Sequence, residues 1–234
     1  MKASDLVAAP FAAGAALRHR RFFHPTGVLA DGTLERLAPP GTGLPIESGS
    51  VLARVSKGVG TPGGLPDFAG LAWRMAPAPF AATPWDVLLV SAGVGGASAT
   101  LNRVLLRPVT SWSEAPYSSL MPLRHADELW WVRARLTTPL GSGGLSLDVI
   151  GERIGAGGLT FDIEQACGGD SFAPLARLTL TGVVAGETRY ANGEHDVSFD
   201  PVQHTAPGVV VWPGWLRDLR ALAYRSSRQG RAAD

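Results

Sequence analysis

His24 sits in Arg21-Phe22-Phe23-His24-Pro25-Thr26-Gly27, beside the basic cluster Arg18-His19-Arg20-Arg21. An imidazole exchanges protons near neutral pH, so a histidine held by its neighbours takes a proton from one atom of a bound molecule and hands it to another. Near the other end, Tyr224 lies in Arg220-Ala-Leu-Ala-Tyr224-Arg-Ser-Ser-Arg228-Gln-Gly-Arg231. On a helix, positions i, i+4 and i+11 share a face, which puts Arg220 one turn from Tyr224 and Arg231 further along the same side. A free phenol ionises at about pH 10, and a neighbouring cation favours the phenolate. The plainer readings are a surface or core histidine, and an amphipathic helix with basic residues in its last turns, where the helix dipole favours them.

The remaining reactive residue types are less organised. Cys167, the one cysteine, sits in Gln165-Ala-Cys-Gly-Gly169 and reads more readily as a lone buried thiol than as an axial thiolate. His195 and His204, with Glu194 and Asp196 nearby, lack a second paired histidine at ligand spacing. The glycine strings from Gly58 to Gly64 and from Gly155 to Gly158 lack the strand, helix and Lys-Ser/Thr context of a phosphate loop and read as turns. The seven tryptophans, Trp130, Trp131, Trp212 and Trp215 among them, read as packing.

The elements that must position His24 and Tyr224 are mostly strands. Residues 1–20 read as an Ala-rich, partly helical arm. From Phe22 onward, short β-prone runs bounded by Gly and Pro follow one another: Gly27 to Ala30 with Thr33 to Leu37, Val51 to Val55, Leu71 to Met75 and Trp85 to Val90. Ala97 to Leu106 reads as a short helix, and Ser111 to Asp127, with Pro116 and Pro122, as irregular connection. Strands resume at Leu129 to Leu136, Leu145 to Ile150, Leu159 to Ile163 and Leu175 to Val184, several with period two. About eight strands is a number that closes into a barrel. After Phe199-Asp200-Pro201, Leu216, Leu219, Leu222 and Ala223 recur at helical spacing, so one amphipathic helix from Trp212 to Tyr224 follows the barrel.

Composition agrees with a single barrel domain over 21–234: 45% apolar residues supply a core, and 29 Gly with 18 Pro supply turns. A net charge of +1 leaves no basic excess for nucleic acid or an anionic membrane, and points to a small-molecule ligand. One cysteine excludes an intrachain disulfide. Asp5 and Pro10 interrupt the apolar start before Arg18, which argues against a secretion signal and for a cytoplasmic setting. No apolar run reaches the roughly 18 residues a membrane span needs.

The segment from Arg21 to Gly27 resembles the distal motif of the heme catalases, and Arg220 to Arg231 resembles their proximal signature. Between them, Val51-Leu-Ala-Arg54-Val55-Ser56, Asp67-Phe-Ala-Gly70-Leu-Ala-Trp-Arg74-Met and Trp85-Asp86-Val87 resemble the successive catalase strands, and Phe199-Asp200-Pro201 with Pro207-Gly208-Val209 resembles the run before the proximal helix. The similarity extends over residues 20–231 and is thin between 95 and 175. It implies an α+β catalase-type antiparallel eight-stranded β-barrel binding heme b (ferric iron). In this resemblance His24 is the distal base, Tyr224 the phenolate ligand of iron, and Arg220 the cation facing it. Arg21, Arg54 and Arg231 are propionate partners, and Ser56 holds the His24 ring. The activity implied is breakdown of a small-molecule peroxide. The relatives' rearrangement of fatty-acid hydroperoxides, as in allene oxide synthases, and heme binding without turnover are the alternatives.

The pattern departs in three places. The family's distal asparagine is absent from Leu88-Leu89-Val90-Ser91-Ala92, leaving Ser91 as the candidate substitute with a shorter reach. Phe23 stands where the family usually has valine. The long terminal extensions of interlocked tetrameric catalases are missing, which implies a monomer or simple homodimer.

Overall fold

Apolar residues at every second position define β1 (Thr26–Arg36), β2 (Gly49–Lys57), β3 (Ala69–Met75) and β4 (Trp85–Ser91). Their inward side chains, including Val28, Leu34, Val55, Leu71, Trp73, Val87 and Leu89, join one buried core. The computed structural model describes residues 26–79, 81–93, 99–141, 143–184 and 197–213. The remaining elements are α1 (Ala99–Val104), β5 (Tyr117–Ser118), β6 (Leu123–His125), β7 (Glu128–Leu136), α2 (Leu147–Gly157), β8 (Leu159–Cys167), β9 (Ala173–Val183) and β10 (Val209–Val211).

Eight strands close a barrel in which every pairing is antiparallel: β1–β2–β3–β4–β5–β7–β8–β9 and back to β1. Strands β6 and β10 continue the sheet from the other end of β7. Closure needs curvature, and β1 bends between Asp31 and Gly32, where its register against β9 shifts. A Cβ at Gly32 would lie 2.4 Å from the Thr179 carbonyl oxygen, so only glycine permits this approach.

The expected eight-stranded barrel is present, but one strand is elsewhere. Leu145 to Ile150 is not a strand: α2 starts at Leu147, and the Ser146 hydroxyl caps it by accepting from the Asp148 amide at 3.3 Å. Leu147, Ile150 and Ile154 fall on one helical face, with the two isoleucines buried, so six residues of apparent alternation belonged to a 3.6-residue period. The eighth strand is β5, two residues inside the stretch read as connective, held by Val90 and Ser91 on one side and Arg133 and Ala134 on the other. Gly27 to Ala30 and Thr33 to Leu37 form one strand to Arg36. The short helix read between Ala97 and Leu106 is α1. The 1–20 arm and the helix read beyond Pro213 lie outside the described residues.

Candidate functional site

Strand alternation sends the even-numbered residues of β2, β3 and β4 to the outside of the barrel, together with the odd-numbered residues of β1 as far as Asp31. Register then aligns them in rows. Gly27, Ser56, Gly70 and Val90 form one row, Leu29, Arg54, Ala72 and Leu88 the next, and Asp31, Leu52, Arg74 and Asp86 the third. Four strands at roughly 4.8 Å spacing make a surface about 14 Å across. Its first two rows are small or apolar except for one hydroxyl and one guanidinium, and Leu29 and Ser56 are each only 4% exposed although they face away from the core. Gly27 keeps this surface tight: a Cβ there would lie 2.7 Å from Arg54 Nε and 2.9 Å from Ser56 Cβ.

Arg54 and Ser56 are therefore brought together, two residues apart on one face and directly opposite Leu29 and Gly27 of the strand that begins just after His24. Ser91 is not brought to them. It shares the inward parity of Val87 and Leu89, is fully buried, and uses its hydroxyl twice: it accepts from the Ala69 amide at 3.0 Å and donates to the Arg107 carbonyl at 2.6 Å. At the end of β4, the residue on the Ser56 face is Val90. Arg21, His24, Arg220, Tyr224 and Arg231 lie outside the described residues.

The third row carries a network that sequence reading did not anticipate. The Asp86 carboxylate, whose side chain is 0% exposed, accepts from Arg74 Nε at 2.7 Å and Arg74 Nη2 at 2.7 Å, from the Asp200 amide at 2.7 Å, and from His204 Nδ1–H at 2.7 Å. Arg74 also donates to the Ser198 carbonyl at 2.8 Å and lies 5.4 Å from the centre of the Phe199 ring. Asp200 in turn accepts from the amides of Val202 and Gln203 at 3.1 Å each. These bonds fasten residues 198–204 to the outer edge of β3 and β4, next to the two apolar rows. The arginine and aspartate were visible in the motifs, but their partners lie more than a hundred residues along the chain.

Other titratable groups serve structure. The Asp67 carboxylate accepts from the amides of Val59, Gly60, Thr61 and Phe68 and from the Thr61 hydroxyl. Burial alone would raise its pKa, but these bonds outweigh it and hold the group below the usual carboxylate range. Lys57, buried at the end of β2, donates to the Gly63 and Leu65 carbonyls at 2.9 and 3.2 Å; burial lowers its pKa and the nearby Asp67 opposes that. Burial, with Glu128 and Asp170, pushes the Cys167 thiol up, away from the thiolate a metal ligand requires. Beside β5, next to the end of β4, a cavity of about 320 Å³ is bordered by Arg103, Ser118, Arg133 and Phe172, with both guanidinium groups stacked on the ring. Among the described residues, no group of three or more His, Cys, Asp or Glu gathers to hold a metal ion. No described helix is long and apolar enough to cross a membrane.

The face formed by the first two rows fits a flat apolar macrocycle bearing carboxylates. Glycine and alanine leave it smooth, leucine and valine supply contact, and Arg54 offers a charge-assisted partner for a carboxylate. The donor set among the described residues supplies one guanidinium and one hydroxyl, whereas Tyr224 lies outside the described residues.

No family model matches the sequence, and no curated protein matches it. Solved structures do. A fungal catalase superposes over 100% of this chain and 64% of its own, with TM-score 0.65 and 10% identity. Catalase A from Saccharomyces cerevisiae superposes over 99% and 65%, with TM-score 0.64 and 10% identity. A bacterial catalase superposes over 99% and 61%, with TM-score 0.57 and 12% identity. The chain thus spans less than two thirds of the length of these catalases, and the likeness shows that it has a catalase-like fold.

Proposed function

We propose that the chain is a heme-dependent hydroperoxidase, an oxidoreductase that reduces a peroxide ROOH with two electrons and two protons to ROH and water. The electrons come from a second peroxide or an organic reductant. One observation carries the reading: Arg54 and Ser56 share a half-buried, otherwise apolar outer face with Gly27, three residues after His24. That is the arrangement a heme needs on its distal side. When bound, heme would supply redox-active iron for the two-electron reduction of the peroxide.

The chain's own residues bind, orient and move protons. Arg54, with Arg21 and Arg231, neutralises the propionates. Tyr224 is the iron ligand, kept as phenolate with the help of Arg220. His24 takes the proton from one peroxide oxygen and returns it to the other, and Ser56 fixes the imidazole's orientation and tautomer. The single cysteine fits a reducing, cytoplasmic setting.

Titration of the purified chain with heme tests this reading. A Soret band with a high-spin ferric tyrosinate signature is expected, weakened by Arg54→Ala and lost or shifted by Tyr224→Phe. His24→Ala should retain heme and lose peroxide reactivity. A chain that cannot be loaded with heme sinks the proposal. Val90 in the row of Ser56 favours a second reading, heme binding without turnover, which is supported if loaded protein consumes no peroxide at all.

A further inference from the structure

The wall beside Ser56 is chemically uneven. Moving across the strands from Ser56, the next residue, Gly70, has no side chain, and the one after it, about 10 Å away at the usual strand spacing, is Val90. Beyond Val90 comes Ser118, whose hydroxyl donates to the Arg103 carbonyl at 2.7 Å. The neighbouring row adds Leu29, Ala72 and Leu88 beside Arg54. Ser91, next to Val90, turns its hydroxyl into the barrel. A small molecule lying on this wall past Ser56 therefore meets hydrocarbon.

We propose that this face selects organic hydroperoxides with an apolar R group over hydrogen peroxide, and that Val90 is the specificity-determining residue. The inference rests on the reading of the face as the peroxide side of a heme site. Hydrogen peroxide has two hydroxyl groups, each a donor and an acceptor. One can be served near Ser56, and the other is pressed against Val90 and Leu88 without a partner, at a cost of roughly ten- to hundred-fold in affinity. In ROOH the R group replaces that second hydroxyl hydrogen, and each methylene it buries gains about four-fold in binding.

The experiment uses the full chain reconstituted with heme. It compares kcat/KM for cumene hydroperoxide and hydrogen peroxide, and measures the Kd of fluoride by absorbance, since a bound fluoride reports hydrogen-bond donors on that side. Wild type should favour cumene hydroperoxide by on the order of ten-fold or more. Val90→Asn should cut that ratio by on the order of a hundred-fold, as a placed donor does, and tighten fluoride binding. Val90→Ala should keep the preference. Val90→Thr, close to valine in shape, serves if the asparagine variant does not fold. A wild-type preference for hydrogen peroxide overturns the inference, as does a donor variant that moves neither the ratio nor fluoride binding. Bound heme with no turnover of either peroxide overturns it too and leaves the heme-binding reading standing. Failure to bind heme overturns both.

Discussion

The barrel has one inside and two outsides. Across β1–β4 the outer face carries two rows of small and apolar residues around Arg54 and Ser56, bounded by the Arg74–Asp86 network. Across β7–β9 the outer face is laced with ion pairs: Arg133 and Arg135 meet Glu164 at 2.5 and 3.3 Å, and Arg177 meets Asp162 at 3.3 Å. Both halves line the same lumen with one apolar core of aliphatic and aromatic side chains. The closed sheet therefore supplies stability to both, while the choice of outward residues gives one half a largely apolar face and the other a charged surface tolerant of water.

Three perturbations test that contrast. The largest effect is expected from Asp86→Ala, which strips the Arg74 guanidinium of its carboxylate and releases residues 198–204. A loss of about 3 kcal/mol is expected in urea unfolding, together with weaker heme retention. Unchanged stability would mean that the network does not anchor that segment.

An intermediate effect concerns the hairpin joining β2 to β3. Asp67 has its folded pKa held below the unfolded value, so its stabilisation is fully present above the ordinary pKa of about 3.9 and is lost as pH falls through the folded value. Asp67→Asn should cost about 1–3 kcal/mol at pH 7, and the gap from wild type should close below about pH 4. A gap that is constant from pH 7 to pH 3 would contradict the assignment.

The smallest effect is expected on the charged half. Arg177→Ala removes a half-exposed partner of Asp162 and should change stability by less than about 1 kcal/mol, with heme titration unaltered. A marked loss of heme affinity would erase the distinction between the two faces.

Much of this was legible in the chain. Alternation in Val51 to Val55 and Leu71 to Met75 fixes which residues pair with the core, and the motifs around Arg54, Ser56 and Trp85-Asp86 lie on strands as expected. The failures have specific physical origins. Leu145 to Ile150 is too short for a two-residue period to be told from a helical one, and the Ser146 cap decides between them. Tyr117 and Ser118 lack any pattern of their own and become a strand because Val90 and Ser91 on one side and Arg133 and Ala134 on the other supply their hydrogen-bond partners.

Ser91 and Val90 mark the boundary most clearly. Sequence by itself determined that adjacent residues of β4 point to opposite sides, since the pleat has a period of two. It also determined that one candidate hydroxyl exists in that stretch, and that the strands suffice for a barrel. Only the tertiary structure decided which side faces Ser56, because that depends on the register of β2, β3 and β4 and on closure through β5. The same holds for Asp86 and His204, 118 residues apart and joined at 2.7 Å: local propensity carries no information about a bond made only when the chain returns to the barrel.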